Sequence, residues 1–161
     1  EALEKAKVWG FSFPNLSNIR LVLYEITVNA LYHSHGYTEQ KLKREEIVLS
    51  GDKYVEFNYG CNKTKFGLSI VDFNGKLSKN SFLKSISDLV TRDEKIKEFV
   101  KEGKDITSLL IDRGRGLDIT RKLSGEYQIN ISKNKKTEVI IVFDIEFYKD
   151  DNIGTIKILE L

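Results

Sequence analysis

The sequence contains one cysteine and no methionine. Because a disulfide needs two cysteines, Cys61 excludes an internal one and fits a reducing compartment. With His33 and His35 it would supply at most three metal ligands, at a spacing that matches no known zinc motif. The lack of methionine, together with the start at Glu1, predicts that the chain is a fragment of a longer polypeptide.

Long apolar runs and charge of one sign are also lacking. The longest apolar runs, at 21–24 and 139–143, fall far short of the about 18 residues that a membrane helix needs. No signal peptide is visible. The net charge is +2, from 26 basic and 24 acidic residues, which is too weak to indicate nucleic acid or a membrane surface as a partner. The composition, with 40% hydrophobic residues, predicts one globular cytoplasmic domain over residues 1–161.

Hydrophobic spacing predicts the order of the secondary structure. A long helix is expected over about 15–35, with Ser12 as a cap, the only proline, Pro14, in its first turn and Gly36 as its terminator. Further helices are expected over 78–90 and 114–123, and residues 91–105, rich in charge, are expected to be mobile and solvated. Strands are expected over 47–49, 54–59, 66–73, 127–132, 138–147 and 153–159, with turns at 60–63 and 133–136.

Helices and hairpins are therefore intermixed along the chain. A strict alternation of strand and helix would predict a doubly wound parallel sheet, and this order does not show it. The predicted fold class is α+β, a two-layer sandwich with a mixed, mostly antiparallel sheet and helices on one face.

The long helix carries the first unusual feature. Residues 21–32 are apolar almost all round, which predicts a buried helix, yet Glu25 and Asn29 interrupt them and His33 follows. At four-residue spacing these three side chains form one polar stripe. Since a buried carboxylate is costly without a partner, the stripe needs a ligand, a metal ion or an internal partner. The last alternative is a satisfied core network, for example Glu25 with a lysine.

Two further segments have compositions that suit a ligand site. Asp72 leaves a predicted strand into the turn Phe73-Asn74-Gly75, which is also common turn chemistry. Residues 112–117, Asp-Arg-Gly-Arg-Gly-Leu, precede a predicted helix, where glycines allow backbone N–H groups to approach an anion. Each segment alone is better explained by an ordinary turn or a loop–helix junction than by a ligand site.

Together and in this order, the three features resemble the GHKL ATPase superfamily. The stripe with Ala30 resembles its N box, residues 72–75 its first glycine box, and residues 114–117 its second. Thr137-Glu138-Val139 before an apolar strand resembles its closing threonine motif. The resemblance covers about residues 16–147 and implies a Bergerat-type fold. It is closest to the anti-sigma-factor kinase branch, although Ser34-His35 is inserted before Gly36.

The resemblance implies a site for ATP and Mg²⁺. Asn29 would hold the metal ion, with His33 beside it among the cofactor-binding residues, and Glu25 would orient or deprotonate the attacking group. Asp72 would accept a hydrogen bond from the adenine amine, supported by Thr137.

The remaining implied contacts lie in the glycine boxes and between them. Gly75 would let the backbone pass close to the base. Residues 78–113 would form a lid over the nucleotide. The residues implied to face the phosphates are Lys76, Arg113, Gly114, Arg115 and Gly116, although surface charge also explains the three basic ones.

Two departures from the family pattern leave alternatives open. The first glycine box usually has glycines on both sides of the position of Gly75, whereas this chain has Asn74 and Lys76. One hypothesis is a regulatory serine/threonine protein kinase that acts on an antagonist, a sigma factor or a response-regulator-like protein. The others are an inactive protein-binding module and the catalytic domain of a histidine kinase. A strand at 153–161 could also pair with a second copy of the chain.

Overall fold

The computed structural model describes residues 1–13, 15–43, 45–51, 53–106, 115–144 and 155–160. Within these ranges the chain forms five helices and five strands. In chain order they are α1 (Ala2–Val8), α2 (Leu16–Ser34), α3 (Thr38–Lys43), β1 (Val55–Cys61), β2 (Lys65–Asp72), α4 (Lys79–Lys101), α5 (Arg115–Leu123), β3 (Glu126–Ser132), β4 (Lys136–Asp144) and β5 (Thr155–Glu160).

The strands form one mixed sheet in the order β1-β2-β4-β3-β5. Three of the pairings are antiparallel, and β5 runs parallel to β3 at the sheet edge. The predicted α+β class with a mixed, mostly antiparallel sheet is therefore confirmed. β2 and β4 lie inside the sheet and pair over eight positions, from Lys65 opposite Asp144 to Asp72 opposite Thr137.

One face of the sheet forms the hydrophobic core, because alternate strand residues are apolar and point to the same side. On β2 and β4 the buried pairs are Phe66 opposite Phe143 and Leu68 opposite Ile141. The helices cover this face with side chains from one stripe each. Their buried residues in the core are Ala6 of α1, Ile19, Val22 and Ile26 of α2, and Phe82 of α4.

Helix α2 matches its predicted range within one residue, but its N-cap differs. Asn15 caps it, with Oδ1 accepting from the backbone N–H of Asn18 at 3.0 Å, so the predicted cap at Ser12 is wrong. Pro14 lies outside the described residues. Gly36 ends the helix as predicted, at φ +83°. The helix is not buried all round, because it packs on the sheet by one side and leaves Tyr24 64% exposed.

Three other predictions about local structure are wrong. The segment 91–105 is helical as far as Lys101, as a continuation of the helix capped by Ser78. Residues 47–49 form no strand, and Val48 is 92% exposed. The first hairpin turn begins at Asn62, two residues later than predicted, and there the Asn62 side chain accepts from the N–H groups of Thr64 and Lys65. Two short helices, α1 and α3, were not predicted.

The C-terminal strands agree with the prediction where they are described. β3 and β4 join at a turn in which Asn134 takes φ +58°. The predicted end of β4 at residues 145–147 and the start of the last strand at 153–154 lie outside the described residues. The strand β5 itself begins at Thr155.

Candidate functional site

The two central strands bring Asp72 and Thr137 together. These residues are direct partners in the β2–β4 pairing and occupy the last row of the face that carries the core. Both are buried, Asp72 with 8% and Thr137 with 3% of its surface exposed. The sheet therefore places a carboxylate beside a hydroxyl at the point where the apolar face ends.

The two carboxylate oxygens of Asp72 differ in their hydrogen bonds. Its Oδ1 accepts the backbone N–H groups of Asn74 at 3.0 Å and Gly75 at 3.1 Å, which fixes the turn after β2. Among the described residues, both of its hydrogen bonds go to that oxygen. The other oxygen, Oδ2, accepts no hydrogen bond from the described residues.

The hydroxyl of Thr137 lacks a hydrogen-bond partner in the part of the chain that the structure describes. Its Oγ1 is buried and makes no hydrogen bond with any described residue. Burying an unpaired hydroxyl costs about 1–3 kcal/mol, and most buried polar side-chain atoms in proteins are paired. An unpaired hydroxyl beside an aspartate is thus a polar site that a ligand or an ordered water can complete.

The loop after Asp72 is fixed against the β3–β4 turn by Gly75. At φ +54° a Cβ on this residue would meet Ser132 O at 2.5 Å, Lys135 N at 2.6 Å and Lys136 N at 2.8 Å. The carbonyl of Gly75 also accepts from the N–H of Asn134 at 3.1 Å. The glycine therefore has a packing role in the structure, and its approach to a base stays a prediction.

The polar stripe on α2 faces a lysine from α3. The Lys41 ammonium donates a hydrogen bond to Asn29 Oδ1 and lies 3.3 Å from Nε2 of His33. Glu25, the third member of the stripe, interacts electrostatically with the same ammonium. An internal partner, the alternative that the sequence left open, is thus what the structure shows at Asn29.

Burial and charge shift the pKa values within this cluster. Burial, with a smaller contribution from the Lys41 charge, lowers the pKa of His33. Burial also lowers the pKa of Lys41, and the opposite charge of Glu25 offsets part of that change. A neutral His33 that accepts at Nε2 carries its proton on Nδ1, where Thr38 Oγ1 lies at 3.1 Å. The hydrogen bonds therefore assign one tautomer.

We expect His33 to titrate below its usual pKa of about 6.5 in the folded protein. As the pH falls below that value, the unfolded chain takes up the proton first, so the folded protein loses stability. Two-dimensional NMR of the imidazole checks the midpoint, and urea unfolding between pH 7 and pH 5 checks the stability. Lys41→Met should move the midpoint upward, and a parent midpoint at or above 6.5 would contradict the expectation.

Helix α5 approaches α2 at Gly116, in its first turn. A Cβ at this residue would lie 3.0 Å from Glu25 Cδ and 3.3 Å from Glu25 Cβ, closer than side chains normally pack. The structure therefore brings the first residue of the stripe against the second glycine-rich segment, which are far apart in the sequence. Asp112, Arg113 and Gly114 lie outside the described residues, and Arg115 is placed only as the first residue of α5.

Asn74 and Lys76, the two residues that depart from the glycine-box pattern, lie near the end of α2. Asn74 Nδ2 lies 3.0 Å from His35 Nδ1, while His35 Nε2 is buried without a partner among the described residues. Lys76 Nζ lies 3.7 Å from the place of a Cβ on Gly36. The lysine that the sequence assigns to a phosphate therefore reaches the segment that follows α2.

The structure gives Mg²⁺ no fitting place at Asn29 while Lys41 holds its amide oxygen. The described part of the chain also contains no group of three His, Cys, Asp or Glu that could hold a metal ion. Sequence reasoning missed Lys41 because the residues around it, 40–46, are mostly charged, a composition typical of a solvated segment. Its position eight residues after His33, beyond Gly36, gave no periodic signal.

No protein-family model matches the chain, and no match was found among the curated proteins or the solved structures. Within the described residues, no helix has the length and apolar character that crossing a bilayer requires. The site geometry is therefore what supports a function.

Proposed function

We propose that the chain is an adenine-nucleotide-binding domain of the GHKL type, with a Bergerat-type fold. The observation that carries this proposal is the pairing of Asp72 with Thr137, both buried, where Thr137 Oγ1 has no hydrogen-bond partner among the described residues. A carboxylate and a hydroxyl at the end of an apolar sheet face suit a nucleotide base. The base is flat and apolar on its faces, and its edges carry hydrogen-bond donors and acceptors.

Each group has a chemical task in this proposal. The free oxygen of Asp72 accepts from the exocyclic amine of adenine, and Thr137 Oγ1 binds the neighbouring edge directly or through water. The residues near the phosphates are those of the first turn of α5, where Gly116 and the positive end of the helix dipole favour an anion. Guanine presents an acceptor where adenine presents its amine, so Asp72 selects ATP over GTP.

The domain would serve bacterial signalling in the cytoplasm as a serine/threonine protein kinase of the anti-sigma-factor type. Glu25 is the candidate base, since Gly116 lets the second glycine-rich segment approach its carboxylate. The partner would be an antagonist, a sigma factor or a response-regulator-like protein. The edge strand β5 offers a second copy of the chain a surface for pairing.

A second candidate is a nucleotide-binding module that transfers no phosphate. Two contacts favour it: Lys41 holds Asn29, the residue implied to bind metal, and Lys76 lies at Gly36. Transfer of the terminal phosphate of ATP to a partner protein would exclude this candidate.

Replacing Thr137 by valine tests the nucleotide site. The change removes a hydroxyl that has no partner in the described structure, so the unfolding free energy should stay equal or rise by up to about 1 kcal/mol. ATP affinity should fall roughly 5- to 10-fold, because the same hydroxyl binds the nucleotide. Urea unfolding and calorimetric titration with ATP measure the two effects.

Thr120→Val is the matched control. This buried threonine already donates from Oγ1 to the carbonyl of Gly116 at 2.8 Å, so its loss should cost about 1 kcal/mol of stability. We therefore expect Thr137→Val to keep or raise the free energy of unfolding and Thr120→Val to lower it. If the parent binds no ATP at millimolar concentration, the proposed function is wrong.

A further inference from the structure

The ammonium group of Lys41 interacts with all three residues of the polar stripe of α2. Lys41 Nζ donates to Asn29 Oδ1, lies 3.3 Å from His33 Nε2 and interacts with the charge of Glu25. An amide oxygen, an imidazole nitrogen and a carboxylate are all groups that bind metal ions in proteins. Here the amide oxygen and the imidazole nitrogen contact a positive charge that belongs to the chain itself.

Helix α3 is fixed on α2, so the position of Lys41 is built into the fold. Before the helix, the N–H of Tyr37 donates to the carbonyl of Tyr32 at 2.7 Å. At its start Thr38 Oγ1 lies 3.1 Å from His33 Nδ1, and after its end the Tyr32 hydroxyl donates to the carbonyl of Glu45 at 3.0 Å. These contacts at both ends hold the backbone of α3, which carries Lys41, beside the stripe.

A divalent ion and this ammonium would compete for the same place. The ion would need the Asn29 oxygen that Lys41 holds, and it would lie beside a fixed positive charge. Lysine is itself a phosphate-binding cation, a compact charge with three N–H donors. Hydrogen bonds to Asn29 and His33 leave one donor for an oxygen of a phosphate.

We propose that Lys41 is the resident cation of this site and binds the phosphates of the nucleotide without a divalent ion. The inference rests on the proposed function, because it names the group that neutralises the nucleotide once the base is bound. It also makes the binding of ATP independent of Mg²⁺, which the family resemblance alone would not imply.

The test is calorimetric titration of the full chain with ATP, once with EDTA and once with Mg²⁺. The parent should bind with affinities that agree within about threefold in the two buffers. Lys41→Met should lose about 10-fold or more in EDTA, because it removes the charge that faces the phosphates. Lys43→Met, in the same helix and exposed, is the matched control and should bind as the parent does.

Lys41→Gln separates charge from hydrogen bonding, since it keeps an N–H donor for Asn29. Circular dichroism verifies that each variant folds, and the glutamine variant serves where the methionine variant does not. A parent that binds ATP only with Mg²⁺, or a glutamine variant that keeps the parent's affinity in EDTA, would overturn the inference and leave the proposed function standing. A parent that binds ATP in neither buffer would overturn both.

Discussion

Asp72→Asn should weaken ATP binding by about 30-fold or more, which corresponds to roughly 2 kcal/mol. The change is small in shape and specific in chemistry. Asparagine keeps an Oδ1 that can accept from the N–H groups of Asn74 and Gly75, so the turn after β2 survives. Its amide nitrogen replaces the oxygen left for the ligand and sets a donor against the donor of adenine.

The same substitution should reduce the preference for ATP over GTP. Guanine carries an acceptor at the position of the adenine amine, and an amide N–H can donate to it. Calorimetric titration of parent and variant with each nucleotide measures four affinities. The ratio of the two affinities reports the base contact separately from any general loss of binding.

Asp88→Asn is the control for this experiment, because Asp88 is exposed on α4 and the change has the same size and charge. It should leave both affinities unchanged. If Asp72→Asn binds ATP as tightly as the parent while remaining folded, the carboxylate does not contact adenine. The pairing with Thr137 would then be a structural feature only.

Gly75→Ala should lower the free energy of unfolding by about 2–4 kcal/mol. The residue lies at φ +54°, where a side chain is strained. The new Cβ would also overlap Ser132 O, Lys135 N and Lys136 N, all of which are backbone atoms. Backbone atoms of a paired hairpin cannot rotate away, so the loop or the hairpin must move. Urea unfolding followed by circular dichroism measures the loss.

Gly103→Ala separates the two causes of this loss. Gly103 has a similar φ of +66°, but nothing lies within 4 Å of the place of its Cβ. It should therefore show only the conformational cost, about 1–2 kcal/mol. Equal losses at the two glycines would mean that the loop after β2 shifts freely and is not fixed on the β3–β4 turn.

The strands that carry Asp72 and Thr137 were predicted from the sequence better than the helices were. The strands around Asp72 and Thr137 follow from apolar alternation and turn residues, and the structure pairs them directly. Which residue of one strand faces which residue of another depends on register, which the sequence pattern alone does not give. The family resemblance suggested the pairing, and the structure shows it.

The helices missed by the sequence are short or highly charged. The segment 91–101 of α4 has few apolar anchors, so its helical structure depends on the intrinsic propensity of Lys, Glu and Arg and on continuation from Ser78. Helix α3 has six residues, Thr38–Lys43, too few for an apolar stripe to show in the sequence. Its stability comes from the hydrogen bonds of Tyr32 and His33, which are tertiary contacts. The contacts of Lys41 could not be predicted from the sequence for the same reason, because they depend on the tertiary position of α3.

The order of pairing along the chain has a consequence for folding. β1 with β2 and β3 with β4 are hairpins between neighbouring segments, and such local pairs form on a microsecond scale. The pairing of β2 with β4 closes a long loop that contains α4 and α5, so it bears the larger entropic cost and is the slower event. Asp72 meets Thr137 only in that step. A chain with both hairpins formed but still unjoined lacks the proposed nucleotide site, so we expect ATP to stabilise only the complete sheet.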